Sequence, residues 1–180
     1  MTIIVRKHNL IASDSLIFNG RPDSPSIQYE NKIKRNTAGT MVLAYSGNNF
    51  SGSISKLLLE TSNNFTIILS QGKLPTVDDI SKELKIELEK LLENLNDFCI
   101  GLFSKHHSFV IKLHLITGIS LYTYTKDELV YLGSGSELIS NTDSDLKNSI
   151  ELVYEAIKHV SSCNGSINVF NLDLLNEIKL

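Results

Sequence analysis

Histidine side chains are the first groups in this sequence that could do chemistry, because imidazole is a common metal ligand. His106 and His107 are neighbours, and His114 follows in the same stretch. No Cys, Asp or Glu lies at ligand spacing from them, and alternation would point His106 and His107 to opposite faces of a strand. The pattern indicates a surface pair, so we expect no metal site and no cofactor.

A Gly-Ser run at Gly133–Ser136 is a second candidate, because glycine-rich loops can cradle a phosphate with backbone N–H groups. A P-loop also needs a lysine after its last glycine and a longer spacing between its glycines. Both are missing here, so the run does not indicate a nucleotide site.

The composition predicts a single globular domain over residues 1–180, with 42% hydrophobic and 21% charged residues. The net charge of −3 comes without a basic stripe, which argues against a nucleic-acid partner. No apolar run approaches the ~20 residues of a membrane span, and the short apolar run at the start of the sequence leads us to expect no secretion signal. Two distant cysteines, Cys99 and Cys163, are typical of reduced thiols, so we expect a cytoplasmic protein that binds no membrane.

Short β-branched segments dominate the start of the chain and predict an N-terminal hairpin. Its strands are expected at Thr2–Lys7 and Leu10–Phe18, and a loop at Asn19–Pro25 follows. A third strand is expected at Ile27–Arg35 and a fourth, strongly apolar, at Thr40–Ser46.

Helical spacing of apolar residues predicts three helices in the rest of the chain. The first covers about Ser51–Thr61, and the second begins at Thr76, with Asp79 three residues later as in a capping box, and runs to about Asn94. The third would present an apolar face from Leu146 to Ile157. Strands are predicted at Phe98–Phe103, Ser108–Leu115, Ile119–Tyr124, Leu129–Leu132 and Ser166–Leu172. Because strands and helices come in blocks, packed sheets covered by helices are favoured over an alternating βαβ fold.

Five local patterns occur in one order along the chain. They are Thr2 at the start of a strand, ASDS at Ala12–Ser15, NKIKR at Asn31–Arg35, LAYSGN at Leu43–Asn48 and YLGSGS at Tyr131–Ser136. In this order they resemble the N-terminal nucleophile (Ntn) hydrolases of the proteasome β-subunit and HslV type. The resemblance covers Thr2 to about Leu172 and is closest to the short stand-alone members of bacteria and phages. It implies an α+β fold, a four-layer αββα sandwich.

The resemblance also implies a threonine peptidase or amidohydrolase. Removal of Met1 would make Thr2 the first residue, whose hydroxyl attacks an amide while its own α-amine serves as the base. By similarity, Lys32 is the cation that lowers the pKa of that amine, ordinarily about 7.7–8.0, and Asp14 holds Lys32. The Gly47 N–H would face the oxyanion, and Ser134 would hydrogen-bond the amine.

Several of these positions have a second interpretation from the residues alone. Lys32 and Lys34 share one face of a strand by alternation, so only the family register favours Lys32. Gly47 is also an ordinary turn glycine. Tyr45 matches a family position at the base of the substrate pocket, and it equally fits a core tyrosine.

The sequence departs from the proteasome β-subunits before its last strand. Where these carry an Asp and a Ser that support the nucleophile, this chain has Val160 and Cys163, and Asn164 replaces the first of two glycines while Gly165 is retained. Two functions therefore stay open: a peptidase acting on a peptide or amide substrate, and a catalytically silent subunit of a larger assembly. Both imply a homo-oligomer, either a dimer or a ring, because the resemblance is to ring-forming proteins.

Overall fold

Within the residues that the structure describes, the chain forms two five-stranded antiparallel sheets, a two-stranded hairpin and three α-helices. A computed structural model describes residues 3–21, 24–29, 32–46, 52–92, 98–114, 116–133, 147–159 and 165–178. The strands are β1 (Ile4–Lys7), β2 (Leu10–Asp14), β3 (Leu16–Arg21), β4 (Ser24–Tyr29), β5 (Ile33–Arg35), β6 (Val42–Ser46), β7 (Phe98–Phe103), β8 (His107–His114), β9 (Gly118–Thr125), β10 (Val130–Leu132), β11 (Ile167–Asn171) and β12 (Asn176–Ile178). The helices are α1 (Gly52–Ser70), α2 (Lys82–Leu92) and α3 (Ser149–His159). None of these three helices is long and apolar enough to cross a membrane.

The first sheet has the strand order β10-β1-β2-β11-β12. Side chains alternate across it, so Ile3 and Val5 of the N-terminal segment pack with α3, whereas Ile4 and Ile11 point to the opposite face. Helix α3 covers the first face with Leu152 and its apolar neighbours. The alternation therefore places the start of β1 between a helix and the interior of the molecule.

The second sheet has the strand order β5-β6-β7-β8-β9. One of its faces packs against α1 and α2, where Phe65 of α1 meets Phe109 of β8 edge to face with ring centroids 5.3 Å apart. The opposite face carries Val42, Phe103 and Val110, which pack with Ile4 and with other residues of the first sheet. Buried residues of both sheets therefore belong to one apolar cluster.

Arg6 of β1 connects the two sheets through buried hydrogen bonds. Its side chain is fully buried and donates to Ser108 Oγ at the start of β8, to the carbonyl of Lys105 at 3.2 Å and to that of His8 at 3.0 Å. Burial lowers the pKa of the Arg6 guanidinium to about 10, partly offset by the charge of Asp127, so the side chain stays protonated at neutral pH. A charged hydrogen-bond network therefore joins the sheets there.

His107 lies beside this network, and the direction of its pKa shift predicts that folding is sensitive to mild acid. Burial, His106 and Arg6 all lower the pKa of its imidazole below the ordinary 6.5. The unfolded chain then binds a proton at higher pH than the folded chain does, so stability is lost as the pH falls through 6.5. We expect the urea midpoint to drop less between pH 7.5 and 5.5 in His107→Gln than in the wild type. Equal drops in the two proteins would show that His107 does not contribute.

Helix α1 is longer than the sequence pattern indicates and ends at Ser70 instead of near Thr61. The stretch after Thr61 is rich in Ser, Thr and Asn, which favour caps and turns over helix interiors. Here Thr61 Oγ1 and Ser62 Oγ donate to carbonyls of the preceding turn at 2.9 and 2.7 Å, so their hydrogen bonds stay within the helix. Phe65, which is fully buried, then anchors the extension in the core.

The predicted start of the second helix was also wrong. Asp79 accepts hydrogen bonds from the N–H and hydroxyl of Thr76 at 2.7 and 2.9 Å, but they close a 3-10 turn at Val77–Asp79. Helix α2 begins at Lys82, and Ser81 Oγ accepts the N–H of Leu84 at 3.1 Å. Ser81 is therefore the capping residue of this helix.

Two further strand predictions need correction. The predicted loop at Asn19–Pro25 lies largely within a hairpin, because β3 extends to Arg21 and β4 starts at Ser24. The single strand predicted at Ile27–Arg35 is divided between β4, in that hairpin, and β5, in the second sheet. The division matters because it puts Lys32 directly before a new strand.

Candidate active site

A buried ion pair joins the end of β2 to the start of β5. Lys32 Nζ lies 2.8 Å from Asp14 Oδ1, and the two side chains are only 1% and 0% exposed. Asp14 is the last residue of β2 in the first sheet, and Lys32 immediately precedes β5 in the second. Because a buried charge is costly without a partner, this pair holds two sheets together at one defined point.

The same carboxylate oxygen holds the start of the described chain. The N–H of Ile3 donates to Asp14 Oδ1 at 2.9 Å, and the N–H of Asp14 donates back to the carbonyl of Ile3 at 3.2 Å. Thr2 precedes Ile3 by one peptide bond and lies outside the described residues. A lysine ammonium and the backbone nitrogen next to Thr2 thus share one acceptor atom.

Lys32 and Lys34 occupy different environments, although alternation did not separate them. Lys34 is exposed, and its ammonium lies 5.7 Å from the centroid of the Tyr45 ring. Lys32 is buried against Asp14. Since Lys32 comes before the first residue of β5, the period of two in that strand does not govern its side chain.

Of the remaining predicted residues, Tyr45 is described by the structure and three others are not. Tyr45 lies in β6 opposite Ile100 and is 3% exposed. Gly47 follows the end of β6, and Ser134 follows Gly133; both of these predicted residues, like Thr2, lie outside the described ranges. The proposed oxyanion and amine-binding roles therefore stay predictions, as does a substrate-pocket role for Tyr45.

Two buried polar groups next to Asp14 were not anticipated from the sequence. Ser13 Oγ and Asn168 Nδ2 are buried and have no hydrogen-bond partner among the described residues, and Ser13 and Asn168 lie opposite each other on β2 and β11. On the other side of Asp14, Ser166 Oγ donates to Ser15 Oγ at 3.2 Å. The serines of ASDS gave the only sequence signal, since nothing local indicates that β11 lies beside β2.

The departures from the proteasome pattern fall mostly outside the described residues, which include neither Val160, Cys163 nor Asn164. Gly165 is described and adopts a φ of 91°, a conformation that favours glycine. The retained glycine therefore has a backbone reason for its identity.

The histidines do not converge on one point. His106 is exposed in the turn before β8, whereas His107 begins that strand and stacks on Phe109 with centroids 6.1 Å apart. Across the described ranges, no three His, Cys, Asp or Glu side chains lie close enough together to hold a metal ion.

Comparison with known proteins supports the fold at low sequence identity. No protein-family model and no curated protein matches the chain. Among solved structures, a mutant of Anbu from Hyphomicrobium sp. is similar, with a TM-score of 0.55 and 16% identity over 99% of this chain and 85% of that one. Anbu (ancestral beta-subunit) from Yersinia bercovieri has a TM-score of 0.55 and 14% identity over 97% of this chain and 83% of its own.

A third similar structure is the eukaryotic HslV of Trypanosoma brucei, with a TM-score of 0.55 and 16% identity over 93% of this chain and 96% of the HslV chain. The three likenesses extend over nearly the whole chain. They show a proteasome-like fold, and at 14–16% identity they show the fold alone.

Proposed function

We propose that this chain is a proteasome-like threonine amidohydrolase or peptidase whose nucleophile is Thr2 after removal of Met1. The observation that carries the proposal is the shared acceptor at Asp14, whose Oδ1 binds both Lys32 Nζ and the N–H of Ile3. This contact brings a buried cation to the chain start, where an N-terminal nucleophile needs one. The fold likeness to HslV and Anbu supports the same assignment.

Each residue has a defined part in the proposed site. The ammonium of Lys32 disfavours a second positive charge nearby, so it lowers the pKa of the Thr2 α-amine and leaves that amine free to accept a proton. Asp14 fixes Lys32 with a charge-assisted hydrogen bond. The Gly47 N–H would stabilise the oxyanion, and Ser134 would orient the amine.

The proposed reaction is acyl transfer followed by hydrolysis. The α-amine takes the hydroxyl proton of Thr2 as Oγ1 bonds to the amide carbon, which gives a tetrahedral oxyanion. The C–N bond then breaks, and the leaving amine receives that proton. Water next attacks the ester, releases the acid and restores the Thr2 hydroxyl. Tyr45 would form the base of the pocket that receives the substrate side chain.

The three apolar clusters support a four-layer αββα arrangement in a single domain. One cluster places α1 and α2 on the second sheet, one lies between the sheets, and one places α3 on the first sheet. In this arrangement Asp14 at the end of β2 links the N–H of Ile3 to Lys32, which directly precedes β5 in the other sheet. The proposed catalytic site therefore depends on the packing of one sheet against the other.

We further propose that the protein self-associates in the cytoplasm, without nucleic acid or membrane. Helices α1 and α2 leave Ile67 and Ile86 exposed, at 56% and 43%. A groove of about 480 Å³ between the two helices is lined by Ile86, Leu57 and several charged side chains. Apolar residues on an outer helical layer are suited to contact with another subunit.

A second function is favoured by Val160 and Cys163, which replace the Asp and Ser of active proteasome subunits. In that case the chain would be a silent structural subunit of a larger assembly. Its buried Lys32–Asp14 pair would then serve stability alone.

Hydrolysis of fluorogenic peptide amides separates the two functions. We expect Thr2→Ala to reduce the rate to that of buffer, Thr2→Ser to retain part of it, and Lys32→Met to lower it by about 10²–10⁴-fold. Lys34→Met is the matched control and should leave the rate unchanged. Equal rates for the wild type and Thr2→Ala would exclude Thr2 as the nucleophile.

A further inference from the structure

Among the residues that the structure describes, the two large sheets have four edge strands, which differ in length. Strands β10, β12 and β5 have three residues each, whereas β9 has eight. An edge strand presents unpaired N–H and C=O groups to any other strand, and very short edges limit this exposure. Three edge strands are thus too short to pair extensively with another chain, whereas β9 is long enough to do so.

Strand β9 also lacks the chemical features that protect an edge. Its sequence, GISLYTYT, contains no charged residue and no proline, and most of it is β-branched or aromatic. It pairs with β8 along all eight residues, and within the described ranges no strand pairs with its other edge. Such a strand is suited to adding a further strand.

Exposed apolar side chains flank this edge. Ile116, in the turn that leads into β9, is 96% exposed, and Tyr122 within the strand is 42% exposed. On the helix side, the 3-10 turn packs beside β9 and exposes Val77 at 36%. We call Val77, Ile116 and β9 together the β9 edge.

We propose that the β9 edge pairs with the β9 edge of a second copy of this chain. The two strands would run antiparallel about a two-fold axis, so that two five-stranded sheets become one ten-stranded sheet. This proposal specifies one contact of the self-association proposed above and does not depend on catalysis by Thr2.

The charge pattern favours a second copy as the occupant. In a two-fold antiparallel pair a residue on the axis meets its own copy, and every other residue meets a residue of the same strand in the partner, so charges of one sign on this strand would repel one another. Strand β9 carries none, and its Thr, Tyr and Ile side chains make favourable cross-strand pairs with one another. A two-fold contact also closes on itself and leaves neither β9 edge open.

The flanking side chains supply the remaining contact area. A stable dimer buries about 1,200–2,000 Å² in total, which is more than one pair of strands provides. Val77 and Ile116 would add apolar area on the helix side and at the turn, and Tyr122 would add aromatic area near the centre of the strand. Each of these side chains contributes twice in a symmetric pair.

A charge placed at Tyr122 tests the pairing. In Tyr122→Glu the new carboxylate stays beside Lys112, whose ammonium now lies 5.1 Å from the Tyr122 ring, so the single chain should fold. Two such carboxylates near the two-fold axis would repel. We expect sedimentation analysis to give half the wild-type assembly mass. Tyr131→Glu is the matched control, because Tyr131 is also a tyrosine on an edge strand and is 39% exposed, and it should keep the wild-type mass.

Complementary charges provide a second, independent readout. Tyr122→Glu mixed with Tyr122→Lys should recover the wild-type mass, which only a contact between the two copies of position 122 explains. In the wild type, amide hydrogen exchange of residues 118–125 should slow as protein concentration rises. An unchanged mass in Tyr122→Glu, with exchange at 118–125 independent of concentration, would overturn the β9 contact and leave self-association through another surface intact. A monomeric wild type would overturn both, and covalent labelling of Thr2 would still decide the enzyme proposal.

Discussion

Replacing Lys32 with methionine is expected to destabilise the protein by about 3–5 kcal/mol, because it leaves the carboxylate of Asp14 buried without its cation. The pair is 1% and 0% exposed, so solvent screens it little. Methionine keeps most of the side-chain volume, which confines the change to the charge. The free energy of unfolding from urea titrations at pH 7 measures this loss.

Lys34→Met provides the matched control for that experiment. Lys34 lies two residues further along and is exposed, so its removal should cost no more than about 1 kcal/mol. The double variant Lys32→Met with Asp14→Asn should lose less than the sum of the two single variants, because no unpaired charge remains. Similar small losses for Lys32→Met and Lys34→Met would contradict a buried ion pair at this site.

Replacing Gly101 with valine is expected to cost about 3 kcal/mol, the upper part of the range for overpacked cores. Gly101 lies on β7 in the interior shared by the sheets. A Cβ there would collide with the ring of Phe103 and would lie 2.8 Å from Leu132 Cδ1 of the first sheet. Even one methyl group would therefore push the two sheets apart. Thermal and urea unfolding of Gly101→Val measure the effect.

A smaller neighbour should relieve this collision. Gly101→Ala combined with Phe103→Leu is expected to be more stable than the sum of the two single substitutions predicts, because leucine removes the ring that the new methyl meets. Strict additivity of the two substitutions would show that Gly101 does not set the spacing between the sheets.

The central strands were predictable because their signal is local. The strands expected at Phe98–Phe103, Ser108–Leu115 and Ile119–Tyr124 match β7, β8 and β9 to within one residue at each end. Short runs of apolar, β-branched and aromatic residues between clear turns specify such strands without help from the rest of the chain. The same holds for the proteasome-like fold, which the order of short motifs indicated.

Other elements depended on contacts that the sequence does not display. Helix α1 continues through Ser, Thr and Asn residues because Phe65 reaches Phe109 on a distant strand. Strand β12, at Asn176–Ile178, was missed because three residues carry no periodic pattern, and it exists by pairing with β11. Tertiary packing overrides local propensity in both cases.

The sequence predicted which residues form the candidate site, but it only partly predicted which of them contact one another. Alternation treated Lys32 and Lys34 alike, and their difference arises from Asp14, 18 residues earlier and in the other sheet. The buried polar atoms of Ser13 and Asn168 come together for the same long-range reason, through the β2–β11 register. A local sequence pattern therefore identifies candidate residues, and long-range packing determines which of them are in contact.

The most direct test of the proposed N-terminal nucleophile is the intact mass of the purified protein before and after incubation with a threonine-directed β-lactone or epoxyketone. We predict a mass that lacks Met1 and one adduct per chain, with the adduct absent in Thr2→Ala and present in Lys34→Met. A mass that retains Met1, with no adduct at any reagent concentration, would contradict the enzyme and favour the silent subunit.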